Sequence, residues 1–183
     1  AATVLLLLLW PVLLAAAIAI RFDTDGPVFY TQSRVGRNGR VFRILKFRTM
    51  RVGAEEASGA VYARPDDPRV TRVGLILRRT RLDELPQLLN VLRGEMTLVG
   101  PRPERPDFFD GLRKNVPLFE LRTCLKPGIT GWAQVHVPYA STSAESRLKL
   151  EYDLYYVRNQ SLLLDLAVRF ATVRVVLTGA GAR

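Results

Sequence analysis

This 183-residue sequence has one cysteine, Cys124, and one histidine, His136. A lone thiol excludes an internal disulfide and fits a reducing compartment. A lone imidazole excludes a multi-histidine metal site and most histidine-based triads. A Cys124–His136 nucleophile pair is the one soft option left. Acid is also scarce, with 17 Asp and Glu against 27 Lys and Arg and a formal net charge of +10. Chemistry in such a chain falls to carboxylates, arginines and a hard metal ion. The charge calls for an anionic partner: nucleic acid, anionic lipid or a phosphorylated substrate. The sequence begins without methionine, which reads as a processed chain or a fragment of something longer. Apolar residues make up 48%, enough at this length for one domain with its own core.

No charge of either sign occurs from Ala1 to Ile20. Twenty helical residues reach about 30 Å, the thickness of a bilayer core. A cleaved signal peptide fits poorly, because the run has no basic start and ends in Ala19-Ile20-Arg21-Phe22. Pro11 removes a backbone hydrogen bond at its centre, so the helix either kinks and crosses or turns back. The residues alone favour crossing. Asp25-Gly26-Pro27 reads as a turn, Val28 to Val35 as a strand, Asn38-Gly39 as a hairpin turn and Arg40 to Arg48 as the return strand. Phe42, Ile44, Lys46 and Arg48 share one face by parity. Arg34, Arg37, Arg40, Arg43 and Lys46 recur at every third position, either as a solvated ribbon or as phosphate contacts. Gly53 to Pro68 reads as a surface loop. Ser143 to Thr178 is helical in pattern, with Asp165, Arg169 and Thr172 on a polar face. Its apolar side, Leu162, Leu163, Leu166, Phe170, Val173 and Leu177, suits either a core or a membrane surface.

The segment Leu82-Asp83-Glu84-Leu85-Pro86-Gln87 sets two adjacent carboxylates among Arg78, Arg79 and Arg81. Leucines at 82, 85, 88, 89 and 92 follow at helical spacing, Pro86 suits a first turn, and Gly94 suits a C-terminal cap. Asp83 and Glu84 then lie at or just before a helix start, where free N–H groups favour ionised carboxylates. Simple complementation of the helix dipole is the bland explanation. The chemical one is a division of labour, because neighbouring side chains point about 100° apart. One carboxylate can attack while the other handles a proton or a metal. Three prolines between Val99 and Pro106 predict a stiff, extended loop that holds Arg102. Lys126 to Trp132 is a second Gly/Pro turn carrying a cation.

Taken together, these segments resemble the monotopic phosphoglycosyl transferases, the bacterial sugar transferases that start exopolysaccharide and O-antigen assembly. The likeness rests on the apolar segment with Pro11, on Gly26-Pro27-Val28-Phe29 with Gln32 and Arg34, and on Lys46-Phe47-Arg48-Thr49-Met50. It continues through Asp67-Pro68-Arg69, the Asp83-Glu84 segment with Asn90-Val91, and Val99-Gly100-Pro101-Arg102-Pro103. It ends with Lys126 to Gln134, Tyr152-Asp153-Leu154-Tyr155-Tyr156-Val157 and Gly179 to Arg183. It departs at His136-Val137-Pro138-Tyr139, where family members often carry Asn-Gly-Arg, so sugar identity does not carry over. The upstream transmembrane helices of larger members are absent, so the sequence resembles a minimal or excised catalytic unit.

The resemblance implies an α+β, mostly helical fold with a small β-hairpin and amphipathic interfacial helices. Residues 1–22 would form a re-entrant membrane helix hairpin broken at Pro11, replacing the crossing favoured above. Residues 23–183 would form one catalytic domain on the cytoplasmic face of the bacterial inner membrane. The implied enzyme moves a sugar-1-phosphate from a UDP-sugar to a polyprenyl phosphate, undecaprenyl phosphate, and releases UMP. Asp83 would be the nucleophile, forming an aspartyl-phosphosugar, and Glu84 its assistant. Mg²⁺, with Mn²⁺ as the alternative, would be held at Asp83 and Glu84. Lys46, Arg48, Arg79 and Arg102 are expected to bind substrate phosphates, a task suited to arginine's planar, always charged fork. Membrane lipid is an expected partner and nucleic acid is not. The rival reading is a membrane-tethered polyanion- or nucleic-acid-binding module, which the charge supports but which has no use for the two carboxylates.

Overall fold

A computed structural model describes residues 2–56, 59–62, 64, 66–137 and 143–178. Pro138 and Tyr139 of the divergent segment, and Gly179 to Arg183, lie outside them. The protein is mostly helical, with two small two-stranded sheets.

The leucine- and alanine-rich start forms α1 (Ala2–Asp23), long and apolar enough by length and composition to cross a membrane. Pro11 lies inside it, and the helix is continuous through the proline, where the resemblance led us to expect a hairpin. An interior proline removes one backbone hydrogen bond, and the strong helix formers on both sides can carry the helix past it. The C-terminal half of α1 docks: Ala16 and Ile20 are buried with Phe47 and Leu77, and Val28, Val73 and Leu82 pack around them. Val4, Leu7, Leu8 and Trp10 of the N-terminal half are exposed.

Strands β1 (Phe29–Val35) and β2 (Val41–Phe47) pair antiparallel, from Phe29 opposite Phe47 to Val35 opposite Val41. Asn38 and Gly39 turn the chain with φ of 54° and 76°, the left-handed region expected of an Asn-Gly hairpin. After β2, Met50 bridges to Val70 and closes the neck of the 51–69 loop. There Arg69 grips Asp67 through Nη2–Oδ2 at 2.6 Å and Nε–Oδ1 at 2.8 Å.

Helix α2 (Arg72–Arg79) starts at Thr71, whose hydroxyl accepts the Gly74 N–H at 2.9 Å. Gly74 faces the Thr49 carbonyl so closely that an added Cβ would stand 2.1 Å from its oxygen. Arg81, at φ 58°, then turns the chain into a 3₁₀ segment (Leu82–Gln87) that runs into α3 (Leu88–Leu92). Asp83 and Glu84 occupy the first turn of that segment, and Gly94, at φ 77°, follows the helix end. Buried Asn90 ties the unit to β2: Oδ1 accepts the Leu45 N–H at 3.0 Å, and Nδ2 donates to the Arg43 carbonyl at 2.8 Å. The dyad is thereby held in register with Lys46.

The Gly/Pro segments that read as turns pair with each other. Strands β3 (Thr97–Val99) and β4 (Gly128–Thr130) run parallel, so close that a Cβ on Gly128 would lie 2.1 Å from the Gly100 nitrogen. Helix α4 (Pro106–Asn115) follows the proline loop, and α5 (Trp132–His136) follows β4. The C-terminal helical pattern is two helices, α6 (Ser143–Asn159) and α7 (Leu162–Thr178). Tyr156 joins them, donating from its hydroxyl toward Asp165 at 2.6 Å and the Val99 carbonyl at 3.2 Å. The polar face of α7 is used, with Arg169 3.9 Å from Asp165 and the hydroxyls of Thr172 and Thr130 2.7 Å apart. Leu162, Leu163, Phe170 and Val173 stay exposed, while Val168 is fully buried.

Candidate active site

The hairpin, the 3₁₀ segment, the proline loop and α6 together enclose a cavity of about 640 Å³. Lys46 reaches it from β2, Asp83 and Glu84 from the 3₁₀ segment, and Arg102 from the loop after β3. Both cations converge on Glu84. Lys46 Nζ is 2.8 Å from Glu84 Oε1, and Arg102 Nη2 is 2.6 Å from the same oxygen, with Nη1 3.3 Å from Oε2. Burial opposes the charge on Glu84, but the charges and hydrogen bonds of Arg102 and Lys46 outweigh it. They hold the carboxyl well below the usual range.

Asp83 is treated in the opposite way. Burial first, and then the Glu84 charge, push its carboxyl up to about 6, against the attraction of Lys46, Arg78 and Arg102. It lines the cavity, and among the described residues no hydrogen bond or ion pair holds its carboxylate. Two adjacent carboxylates therefore have distinct capacities. Glu84 is a fixed anion that organises two cations, and Asp83 is an unclamped carboxylate facing the cavity.

The other two expected phosphate ligands differ: Arg48 lines the cavity but its guanidinium is engaged elsewhere, and Arg79 does not line it. Arg48 lies just beyond β2, where Nε donates to the Pro27 carbonyl at 2.6 Å, Nη1 to Asp25 at 2.7 Å and Nη2 to Thr24 at 2.9 Å. Parity put Arg48 on the Lys46 face, but three carbonyls of the turn after α1 capture its fork. Its observed contacts are a brace between β2 and α1. Arg79 is exposed and does not line the cavity; Arg78 does. Helical phase explains the exchange, because Thr71, Gly74 and Arg78 fall on the side facing Thr49 and Arg79 sits about 100° round the helix. Arg78 Nε donates to Thr49 Oγ1 at 2.9 Å. The cap signal of Thr71 would have phased α2 and found Arg78 in the sequence.

Arg102 is held by more than its prolines. Its carbonyl accepts from Arg122 Nη2 at 3.0 Å, that of Pro103 from Arg34 Nη1 at 3.1 Å, and that of Glu104 from the Val35 N–H at 2.8 Å. Arg122 is buried and pairs with Asp153 at 2.6 Å, while Lys149 pairs with Glu104 at 3.0 Å. Arg34 and Asp153 stood out in the sequence only as parts of motifs, and their joining with Arg122, Lys149 and Glu104 was not legible there, since the members are far apart in the chain. Across the cavity, Glu55 of the 51–69 loop pairs with Arg105 at 2.8 Å, and Tyr62 stacks on Phe108 with centroids 4.3 Å apart.

Among the described residues no group of three or more His, Cys, Asp or Glu could hold a metal. With Glu84 Oε1 already shared by two cations, Asp83 and at most Glu84 Oε2 remain. That donor set suits Mg²⁺, which commonly takes one or two carboxylates and completes its shell with water and substrate phosphate.

A model of the family described as bacterial sugar transferase matches residues 1–179. The UDP-N-acetylgalactosamine-undecaprenyl-phosphate N-acetylgalactosaminephosphotransferase of Aeromonas hydrophila is 47% identical over 183 residues, all of this chain and 43% of that protein. The UDP-glucose:undecaprenyl-phosphate glucose-1-phosphate transferase of Escherichia coli K12 is 42% identical over 174 residues, 94% of this chain and 37% of that protein. The exopolysaccharide production protein PSS of Rhizobium leguminosarum bv. phaseoli is 43% identical over 178 residues, 94% of this chain and 89% of that protein. The chain thus spans about two fifths of the length of the first two relatives.

Proposed function

The chain belongs to the bacterial sugar transferase family, and from that premise we propose that it transfers a sugar-1-phosphate from a UDP-sugar to undecaprenyl phosphate through a covalent intermediate on Asp83. The observation that carries the reading is the contrast within the dyad, Glu84 clamped by two cations and Asp83 open to the cavity. An Asp83 oxygen attacks the sugar-bearing phosphorus, the bond from that phosphorus to the bridging oxygen breaks, and UMP leaves with the electron pair. The phosphate oxygen of the lipid then attacks the same phosphorus, and the Asp83 carboxylate leaves in its original state. Each half exchanges one activated phosphate link for another, the advantage of covalent catalysis. Repulsion between carboxylate and diphosphate is the main barrier, and Lys46, Arg78 and Arg102 offset it. Asp83 and Glu84 would hold Mg²⁺, which would supply further charge neutralisation.

The lipid acceptor requires a site at the membrane surface. The exposed apolar half of α1, together with the exposed Leu75, Ile76 and Arg79 of α2, supports that location on the cytoplasmic leaflet. Re-entry of α1, by a bend at Pro11 in the bilayer, would leave both helix ends on the cytoplasmic side. Cysteines at Ala2 and Arg21, in a Cys124→Ser background, should then be labelled from one side only. Labelling from opposite sides identifies a span.

The central test needs no lipid. Enzyme, UDP-sugar and Mg²⁺ should release UMP in a burst of at most about one equivalent per site, leaving a phosphosugar on the Asp83 peptide. Undecaprenyl phosphate should discharge it, and initial-rate plots should be parallel. Intersecting plots with neither burst nor adduct would make Asp83 a base or a metal ligand in a direct transfer.

A further inference from the structure

Thr49 is buried, and both its carbonyl and its hydroxyl are turned to α2. Its carbonyl accepts the Thr71 N–H at 3.0 Å, just before the helix begins. The same carbonyl fills the space over Gly74, where no side chain fits. Its hydroxyl accepts from Arg78 Nε at 2.9 Å. These contacts, at the start, the first turn and the last turn of α2, fix the helix in both register and rotation. Arg78 lines the cavity beside Asp83, and among the described residues the hydroxyl of Thr49 is the one hydrogen-bond partner of its guanidinium.

A guanidinium binds a phosphate best through two N–H groups on one edge, and it does so more tightly when its plane is already fixed. With Nε tied to Thr49, the terminal nitrogens stay available while the plane is set. We infer that Thr49 is a positioning residue, its hydroxyl orienting Arg78 so that the guanidinium edge meets the diphosphate of the substrate. The inference rests on the diphosphate substrate proposed above. Thr49 also lines the cavity, but its hydroxyl is engaged by Arg78, and the role inferred for it acts through that guanidinium.

The test uses the whole chain in detergent and two readouts, calorimetric titration with pyrophosphate and UMP release from UDP-sugar. Thr49→Val keeps the shape and removes the acceptor, Thr49→Ser keeps the acceptor, and Thr49→Ala stands in if valine lowers the melting temperature. Thr49→Val should weaken pyrophosphate binding about 10-fold, the size of one hydrogen bond to a charged group, and Thr49→Ser less than about 2-fold. Arg78→Ala should weaken it more, and adding Thr49→Val to Arg78→Ala should change nothing further, because the two act as one unit. Wild-type affinity in Thr49→Val overturns the inference. So does an equal loss from Thr49→Val with Arg78 already removed, or a wild type that binds no pyrophosphate. A wild type that binds pyrophosphate but releases no UMP from any UDP-sugar sinks the proposed reaction instead, while the titration still reads the Thr49–Arg78 pair.

Discussion

Asp83→Asn is expected to lower UMP release by about 10⁴-fold or more, the scale seen when a covalent nucleophile is removed. The amide keeps the size and shape of the side chain but cannot form an acyl phosphate. The same variant should be more stable than the wild type at neutral pH. Burial and the Glu84 charge raise the Asp83 carboxyl from its ordinary 3.8 to about 6, so the folded protein resists its ionisation. That cost is absent well below pH 4, grows between pH 4 and 6, and is complete above 6, so wild-type stability falls as pH rises through this window. Asparagine carries no such cost. Its advantage over aspartate, measured by denaturant unfolding in EDTA, should be near zero at about pH 3 and reach roughly 1–3 kcal/mol at about pH 8. Near-normal turnover in a folded Asp83→Asn protein would falsify the nucleophile assignment. A pH-independent stability difference would show that burial and the Glu84 charge do not raise the Asp83 carboxyl as described.

Arg102→Lys should cost about 100-fold or more in single-turnover UMP release, the scale of losing one preorganised donor to a developing anion. The positive charge is retained, but the fork is not. Arg102 reaches both Glu84 oxygens, at 2.6 and 3.3 Å, while its backbone carbonyl is held by Arg122. A lysine at this position offers a point charge on a flexible stem and competes with Lys46 for Glu84 Oε1. The melting temperature should change little, because Lys46 still neutralises Glu84. Turnover within threefold of wild type would reduce the role of Arg102 to its charge alone.

The bacterial sugar transferase motifs lie in short local strings, and local geometry made many of them legible. Asn38-Gly39 specified the hairpin because its φ values suit few other pairs. The leucine spacing after Glu84 revealed the helix, and its start placed the dyad. Lys46 and Arg102 were legible as cations near the dyad through their motifs. Arg78 and Arg79 both precede the dyad, and only the rotation of α2 against Thr49 separates them, with Arg78 lining the cavity. Arg48 was expected at phosphate from its motif, and it lines the cavity, but neither motif nor strand parity shows the three carbonyls of residues 24–27 that hold its fork.

What the sequence determined by itself was chemical type: a basic, thiol-poor chain with an apolar start, adjacent carboxylates and stiff loops carrying arginines. These are properties of single residues and near neighbours, carried wherever the chain goes. Only the tertiary structure decided that Glu84 would be the clamped anion and Asp83 the open one. Two residues so alike in position differ through partners 38 and 18 residues away from Glu84, Lys46 and Arg102. The same holds for Arg122 and Asp153, 31 residues apart and joined in the interior. Charge interactions depend on distance through space and on burial, and neither can be read from separation along the chain.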